Sequence, residues 1–185
     1  MTVAVLGGVF DPPHLGHVAL AEGARDQLGA DHLLVLVAER PGHKGVVADA
    51  ETRLRLAELA LGRFGDVRLD AHPYTVDFLR EAGLGRPYFV IGGDEWESFD
   101  TWKEPDEVRR LARIAVGERP GHPPPDDGVE VIRIARHPIS SREIRMRVAT
   151  GRPIDDLVPA EVAREIERLG LYRDALPSSG RGYTA

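Results

Sequence analysis

The sequence of 185 residues contains no cysteine, so disulfide bridges and thiolate metal sites are excluded. It also has no apolar run near the roughly 20 residues that a membrane-spanning helix needs. The first apolar run, at 3–6, is too short for a secretory signal and lacks the basic leader of one. We therefore predict a cytoplasmic protein that has no membrane partner.

An excess of basic residues is also missing. Lysine and arginine total 24, aspartate and glutamate total 30, and the net charge is −6. Domains that bind nucleic acid usually carry a basic excess, because they neutralise phosphates. We therefore expect no nucleic-acid partner, although a local basic pocket is compatible with this balance. The hydrophobic content of 42% predicts a globular fold.

Short apolar runs alternate with segments of helical periodicity along the chain, which is typical of a parallel sheet covered on both faces. We predict a Rossmann-like doubly wound α/β fold with two C-terminal helices that pack as an appendage. A single domain is expected at 1–174 and a disordered tail at 175–185. The sequence is equally compatible with a monomer and a homo-oligomer. The predicted strands are 3–6, 33–38, 67–70, 88–92, 114–117 and 129–134, and the predicted helices are 15–28, 50–61, 75–82, 105–112, 140–150 and 160–169.

The stretch GGVFDPPHLGH, at 7–17, follows the first predicted strand. Its two leading glycines can expose backbone N–H groups to an anion, and the next helix directs its positive dipole end to the same edge. His14 and His17 are three residues apart and share one helix face. Gly16 between them costs about 1 kcal/mol relative to alanine, which indicates a close approach to the backbone. Alone, the stretch fits a tight strand-to-helix connection as well as it fits a phosphate site.

Two other interpretations of this stretch lack a necessary feature. The dinucleotide fingerprint G-x-G-x-x-G is absent, because the two glycines are adjacent. A zinc site built on His14 and His17 lacks a third ligand at a recognisable spacing.

The stretch ISSREIR, at 139–145, predicts the start of another helix. Ser140 or Ser141 can cap its free N–H groups, Arg145 lies one turn further along, and Arg142 and Arg147 are expected to add positive charge. Hydroxyl groups and an arginine at a helix start suit a polyphosphate. An ordinary serine-capped helix with solvated arginines would have the same residues.

Together, the two stretches resemble signatures of the nucleotidylyltransferases, which join a nucleoside triphosphate to a phosphorylated acceptor. The first resembles G-G-x-F-D-P-x-H-x-G-H, and the second resembles I-S-S-T-x-I-R with Arg142 at the usual threonine. RPGHK at 40–44, YTVDFLREAG at 74–83 and FVIGGDEWESFDTWKEPDEV at 89–108 resemble segments of one branch, the bacterial nicotinate mononucleotide adenylyltransferases. The resemblance extends from residue 3 to about residue 173.

The resemblance implies an enzyme that transfers AMP from ATP to nicotinate mononucleotide, giving nicotinate adenine dinucleotide and pyrophosphate in NAD biosynthesis. Magnesium would arrive with ATP, and the resemblance implies no separate metal site in the protein. Two alternatives stay open: a related enzyme that uses nicotinamide mononucleotide or another phosphorylated acceptor, and a non-catalytic nucleotide-binding module. The implied catalytic residues are His14, His17, Lys44 and Arg145. The implied ATP-binding residues are Gly7, Gly8, Phe10, His14, His17, Gly92, Asp94, Ile139, Ser140, Ser141 and Arg145, and the implied acceptor-binding residues are Lys44, Thr75 and Trp102.

The predicted strand order places these segments at one edge of the sheet. In a sheet of order 3-2-1-4-5, the first and fourth strands are neighbours, so the glycine pairs at 7–8 and 92–93 would line the same crevice. Asp94 would contact either a ribose hydroxyl or the magnesium of ATP. Trp102 is expected to stack on a pyridinium ring, with a half-buried core tryptophan as the alternative.

Overall fold

The strands of the protein form one parallel sheet of six, in the order β3-β2-β1-β4-β5-β6. The computed structural model describes residues 1–41, 45–118, 128–134 and 139–174. The strands are β1 (Val3–Gly8), β2 (His32–Ala38), β3 (Gly65–Asp70), β4 (Tyr88–Gly92), β5 (Arg113–Gly117) and β6 (Glu130–Ile132). The helices are α1 (Leu15–Asp26), α2 (Ala50–Leu61), α3 (Thr75–Glu81), α4 (Gly93–Glu97), α5 (Pro105–Leu111), α6 (Ser141–Ala149) and α7 (Ala160–Leu169), with a 3₁₀ turn at Phe99–Thr101.

This topology confirms the predicted Rossmann-like doubly wound α/β fold. The chain runs outwards from β1 to β3 and then returns to pair β4 with the other side of β1. Leu6 of β1 is opposite Val90 of β4, and Gly8 is opposite Val37 of β2. The strand order therefore reverses beside β1, where open α/β sheets bind ligands.

Both faces of the sheet are covered because the central strands are apolar on both sides. Leu6 contributes to the core beneath α1 and α2, while the preceding residue, Val5, contributes to the core beneath α3 and α5. Successive side chains of a strand point to opposite faces, which explains this division. Leu6 and Val5 are 1% and 0% exposed.

The C-terminal helices are part of the main core, so their prediction as an appendage is wrong. Ile144 of α6 and Val162 of α7 are fully buried and belong to the same cluster as Leu6. Helix α7 packs on α2. Its apolar stripe at helical spacing, with Val162 and Ile166, adds to the core on that face of the sheet.

Some predictions differ from the structure or lie beyond what it describes. Helix α4 was not predicted, because five residues directly after a strand are too few to show a helical period. Lys44 and the predicted tail at 175–185 lie outside the described residues. In the parts of the chain that the structure describes, no helix is long and apolar enough to cross a membrane.

Candidate active site

A cavity of about 560 Å³ lies at the carboxyl edge of the sheet, where β1 and β4 end side by side. Its size is within the range of small-molecule sites. Residues of both sequence signatures line it, although the signatures are more than 120 positions apart. The lining includes all eleven residues predicted for ATP: Gly7, Gly8, Phe10, His14, His17, Gly92, Asp94, Ile139, Ser140, Ser141 and Arg145.

The glycine at the end of β1 is required by its surroundings. A Cβ atom on Gly8 would lie 2.8 Å from the ring of Phe10, closer than real side chains approach each other. Phe10 has a left-handed backbone (φ 53°) and is 1% exposed. Its ring packs edge-on against His17, with 4.9 Å between the ring centroids. Phe10 therefore shapes this edge of the cavity mainly by supporting Gly8 and His17.

The hydrogen bonding of His17 defines its tautomer. The backbone N–H of His14 donates to Nδ1 of His17 at 3.1 Å. Nδ1 must therefore carry a lone pair, and in the neutral ring the proton is on Nε2. Because His17 lines the cavity, it brings an N–H donor to the start of α1, where the helix dipole also favours an anion.

His14 lies deeper than His17 and is 9% exposed. Its ring stacks on that of His17, with a centroid distance of 3.8 Å. Burial lowers the pKa of His14 to about 4, so the imidazole is neutral near pH 7. Its Nδ1 is buried and has no hydrogen-bond partner among the residues that the structure describes. Gly16 is adjacent, since a Cβ there would lie 3.0 Å from this ring, which explains the close approach that the sequence indicated.

The second signature is bonded directly to the first. Ser140 caps α6 by accepting a hydrogen bond from the N–H of Glu143 at 3.2 Å. The hydroxyl of Ser141 donates to the carbonyl of Pro12 at 2.8 Å. The two serines therefore have different local partners, and the start of α6 faces the cavity beside the start of α1.

Arg145 is one of the two arginines of α6 that line this cavity. Its Nη1 donates to the main-chain carbonyl of Asp11 at 2.6 Å. The side chain is 20% exposed and lines the cavity. Arg142 lines the cavity too, at the position where the family usually has threonine. Arg147 was expected to add positive charge here, but it pairs with Glu143 and Asp156 instead, and it does not line the cavity.

Asp11 is a site residue that sequence reasoning missed. Its carboxylate is 2% exposed and accepts hydrogen bonds from the N–H groups of Val47 (2.7 Å) and Ala48 (3.3 Å). It also accepts one from the hydroxyl of Tyr172 at 2.8 Å. An aspartate in an Asp-Pro-Pro turn looks like an ordinary turn residue, because its partners are distant in sequence.

A second missed residue is Arg53 of α2, which is 1% exposed. Its guanidinium donates to four main-chain carbonyls, and its burial lowers the pKa of the group. These bonds join the ends of β1 and β2 to the segment before α2, and they stabilise the loops that form the cavity rim. The acceptors are Val9 (3.0 Å), Ala38 (2.7 Å), Glu39 (3.1 Å) and Ala48 (3.2 Å).

A second cavity, of about 470 Å³, adjoins the first. The two share part of their lining, including Gly7 and Gly8 at the end of β1. Thr75, at the first position of α3, and Trp102 line the second cavity only. They are the two described residues of the predicted acceptor site.

Trp102 packs against the core and also contributes to the lining of the second cavity. Its ring lies 5.1 Å from that of Phe99 and 6.1 Å from that of Phe89, measured between centroids. It is only partly buried and still lines the second cavity. One part of the indole is therefore held by the core while another part faces the cavity.

Comparison with known proteins identifies the family. Residues 5–147 match the family model described as Cytidylyltransferase-like. The chain belongs to the cytidylyltransferase-like family. It is 39% identical over 186 residues to the "Probable nicotinate-nucleotide adenylyltransferase" of Thermus thermophilus, across 94% of this chain and 100% of that relative. It is 37% identical over 199 residues to the protein of the same name from Rhodopirellula baltica, across 92% of this chain and 93% of that relative.

These relatives confirm the resemblance to the nicotinate mononucleotide branch of this family. Solved structures confirm the fold independently. Plasmodium falciparum nicotinic acid mononucleotide adenylyltransferase, complexed with NaAD, superimposes with a TM-score of 0.79 at 16% identity. The match covers 93% of this chain and 97% of that one. At this identity the match shows a shared fold alone.

Proposed function

We propose that this member of the cytidylyltransferase-like family transfers AMP from ATP to nicotinate mononucleotide, a step of NAD biosynthesis. The observation that carries the proposal is the pair of cavities that meet at the end of β1. An enzyme that joins two nucleotides needs two binding sites that meet where the new bond forms. The relatives that are 37% and 39% identical, both named nicotinate-nucleotide adenylyltransferases, support this choice of acceptor.

In this reaction, an oxygen of the acceptor's 5′-phosphate attacks the α-phosphorus of ATP. The bond from that phosphorus to the bridging oxygen breaks, and pyrophosphate leaves with the electron pair. The acceptor phosphate is already an anion near neutral pH, because its second pKa is about 6. A strong general base is therefore unnecessary, and catalysis depends on positioning and on stabilising charge at the phosphoryl oxygens.

ATP occupies the first cavity in this proposal. His17 presents the N–H of Nε2 to the phosphates. The neutral ring of His14 stacks on the ring of His17 and holds it in place. The start of α6, at Ser140 and Ser141, binds the triphosphate beside the start of α1. Arg145 stabilises the charge of the leaving pyrophosphate.

Magnesium enters this cavity as part of MgATP. Asp94, at the start of α4, supplies a carboxylate to the cavity lining. Its partner is either a ribose hydroxyl or the magnesium ion.

The nicotinate nucleotide occupies the second cavity. Its phosphate lies at the shared wall, near Gly7 and Gly8, where it can reach the α-phosphorus. Its ring lies against Trp102, and Thr75 binds it from the start of α3. Lys44 is proposed to neutralise the acceptor phosphate.

Product identification tests this function directly. The purified protein is incubated with MgATP and a panel of mononucleotides, and the products are identified by mass spectrometry. We expect nicotinate adenine dinucleotide and pyrophosphate in equal amounts. Formation of only the nicotinamide dinucleotide would reassign the acceptor, and the absence of any dinucleotide would favour a non-catalytic nucleotide-binding module.

His17→Ala tests the role of the first cavity. Loss of one phosphate donor should lower kcat by roughly 10²–10³. His32→Ala is the matched control, because His32 begins β2 at the opposite edge of the sheet and pairs with Asp66. If His17→Ala released pyrophosphate as fast as His32→Ala, the proposed phosphate site would be wrong.

A further inference from the structure

Arg142 is the residue at which this chain departs from the second signature, because the usual residue at that position is threonine. It is the second residue of α6, it is exposed, and it lines the first cavity but not the second. A guanidinium therefore replaces a hydroxyl group at the proposed phosphate site. The replacement adds a positive charge and a planar fork of N–H donors.

The first turn of a helix is an unfavourable place for an arginine, because the helix dipole favours acidic residues and anions there. Arg145 lies three positions further along α6, so two like charges are neighbours on the surface of this helix. Glu143, the acidic residue of this turn, pairs with Arg147. In the part of the chain that the structure describes, no hydrogen bond or ion pair joins Arg142 to another residue. An anion bound at this place would compensate the unfavourable charge of Arg142.

The first cavity has more carboxylates than cations in its described lining. Among these residues, Arg142 and Arg145 are the only arginines or lysines. The acidic residues of the lining are Asp11, Asp94, Glu95 and Glu118. Burial lowers the pKa of His14 to about 4, so this imidazole adds no charge near pH 7. Because Arg145 also donates to the carbonyl of Asp11, a triphosphate bound here needs a second cation.

The position of Arg142 within the cavity indicates which phosphates of ATP it meets. The acceptor attacks where the two cavities join, at the end of β1, so the α-phosphorus lies there. Arg142 is away from this junction, because it does not line the second cavity. The purine base suits the apolar side chains of the lining, which are those of Leu20, Ile134 and Ile139. The β- and γ-phosphates are the part of ATP that remains for Arg142.

We infer that Arg142 binds the β- and γ-phosphates of ATP and then holds the pyrophosphate that they become. This inference rests on the proposed function. A guanidinium forms paired, charge-assisted hydrogen bonds with phosphate oxygens, and these are stronger than the bond from a neutral hydroxyl group. The same contact persists after the bond to the α-phosphorus has broken. Pyrophosphate is therefore expected to inhibit this protein through Arg142.

Two other roles for Arg142 make different predictions. If it were only a solvated surface residue, its replacement would leave the affinity for pyrophosphate unchanged. If it stabilised the fold, its replacement would lower the melting temperature, whereas its position at a helix start predicts no loss with a neutral residue. Arg164→Thr is the matched control, because Arg164 is exposed on α7, lines neither cavity and carries the same charge.

The experiment uses the full chain and follows dinucleotide formation by chromatography, so that added pyrophosphate does not disturb the assay. It measures KM for MgATP and for nicotinate mononucleotide. It also measures the inhibition constants of pyrophosphate and of AMP, which lacks the β- and γ-phosphates. The variants are Arg142→Thr, Arg142→Met, Arg142→Lys and Arg164→Thr, and their melting temperatures are compared.

For both neutral variants of Arg142, we expect KM for MgATP and the inhibition constant of pyrophosphate to rise roughly tenfold or more. The inhibition constant of AMP and KM for the acceptor should change little, because neither ligand has the terminal phosphates. Arg142→Lys should retain part of the affinity for pyrophosphate, since it keeps the charge but not the planar fork. Arg142→Met should melt at or above the temperature of the wild type, and Arg164→Thr should match the wild type in all four constants.

The inference is overturned if the neutral variants keep the wild-type inhibition constant of pyrophosphate. It is also overturned if the constants of pyrophosphate and AMP rise together, because Arg142 would then affect the whole nucleotide and not its terminal phosphates. A wild-type protein that forms no dinucleotide would instead refute the proposed function. An active wild type whose inhibition by pyrophosphate does not depend on Arg142 refutes the role of this residue alone, so the two failures are distinguishable.

Discussion

The hydroxyl of Tyr172 donates a 2.8 Å hydrogen bond to the carboxylate of Asp11, across 161 residues of sequence. Both residues are buried, with exposures of 3% and 2%. Burial and the adjacent carboxylate raise the pKa of Tyr172, so the phenol keeps its proton and remains a donor. This bond connects the segment after α7 to the turn whose main-chain carbonyl accepts from Arg145.

Tyr172→Phe removes this donor and leaves the rest of the ring. We expect the free energy of unfolding to fall by roughly 1–3 kcal/mol, because a buried carboxylate loses a hydrogen bond. Urea unfolding measures the change. Tyr88→Phe is the control, since the hydroxyl of Tyr88 only accepts an exposed bond from Arg113, and its loss should change stability by less than about 0.5 kcal/mol.

The same variant should also affect the reaction. A less firmly held Asp11 turn positions Arg145 less accurately, so we expect KM for MgATP to rise several-fold in Tyr172→Phe. Steady-state kinetics at a temperature well below the unfolding transition separates this effect from loss of folded protein. Equal stability and equal KM in the two phenylalanine variants would contradict the proposed connection.

Much of the fold follows from local patterns in the sequence. The continuous apolar run at 88–92 matches β4, which is buried on both faces of the sheet, and the helical spacing of apolar residues at 50–61 matches α2. The meeting of the two signatures also follows from the sequence, once strands alternate with helices and their carboxyl ends share one edge. The placement of the predicted ATP residues at that edge was therefore accessible to sequence reasoning.

The polar contacts that stabilise the site could not be predicted from the sequence. Asp11 bonds to Tyr172 and Val47, and Arg53 donates to carbonyls at the ends of two different strands, so each depends on elements that only the tertiary fold brings together. Charge alone misled as well, because Arg147 lies near the second signature in sequence but pairs with acidic residues outside the cavity. Residue type predicts a possible partner, whereas packing decides the actual one.

Gly16→Ala should reduce activity more than stability. The new Cβ would lie 3.0 Å from Cε1 and Nδ1 of His14, so this ring must move. Alanine improves helix propensity, and we expect the free energy of unfolding to change by less than about 1 kcal/mol. Displacement of the ring beneath His17 should lower kcat/KM for ATP by roughly tenfold or more.

Gly23→Ala, on the same helix, should reduce stability more than activity. Its Cβ would lie 2.0 Å from Cγ2 of Ile132, a fully buried side chain of β6. Overpacking of this kind should reduce stability by roughly 1–3 kcal/mol and leave kcat/KM of the folded protein close to wild type. Thermal melts and initial rates of both variants test the pair, and a larger activity loss in Gly23→Ala would argue against the role assigned to Gly16.

His14 should make the protein less stable in acid. Its pKa is about 4 in the folded protein and 6.5 in the unfolded chain, so the unfolded chain binds the proton more readily. The stability that this group contributes is complete above pH 6.5 and is lost as the pH falls from 6.5 to 4, by about 3 kcal/mol in total. Urea unfolding of wild type and His14→Gln across this range should show a smaller acid loss in the variant. If the free energy of unfolding fell equally with pH in the wild type and in His14→Gln, His14 would not be a buried neutral histidine.

His72 should show the opposite pH dependence. Hydrogen bonds to Asp70 and then Glu81 raise its pKa above 6.5, because both carboxylates favour the imidazolium. The folded state therefore binds the proton more tightly, and the resulting stability is complete below pH 6.5 and lost as the pH rises through the folded pKa.

His72→Gln retains hydrogen-bonding capacity but cannot become charged. We expect this variant to lower the melting temperature at pH 5.5 and to have a much smaller effect at pH 9. Glu81→Gln, which removes one of the two carboxylates, should give an intermediate loss at pH 5.5. Because Asp70 and His72 line the second cavity, KM for the acceptor is measured at both pH values as well. A melting temperature that falls equally at pH 5.5 and pH 9 would mean that His72 contributes packing and not charge.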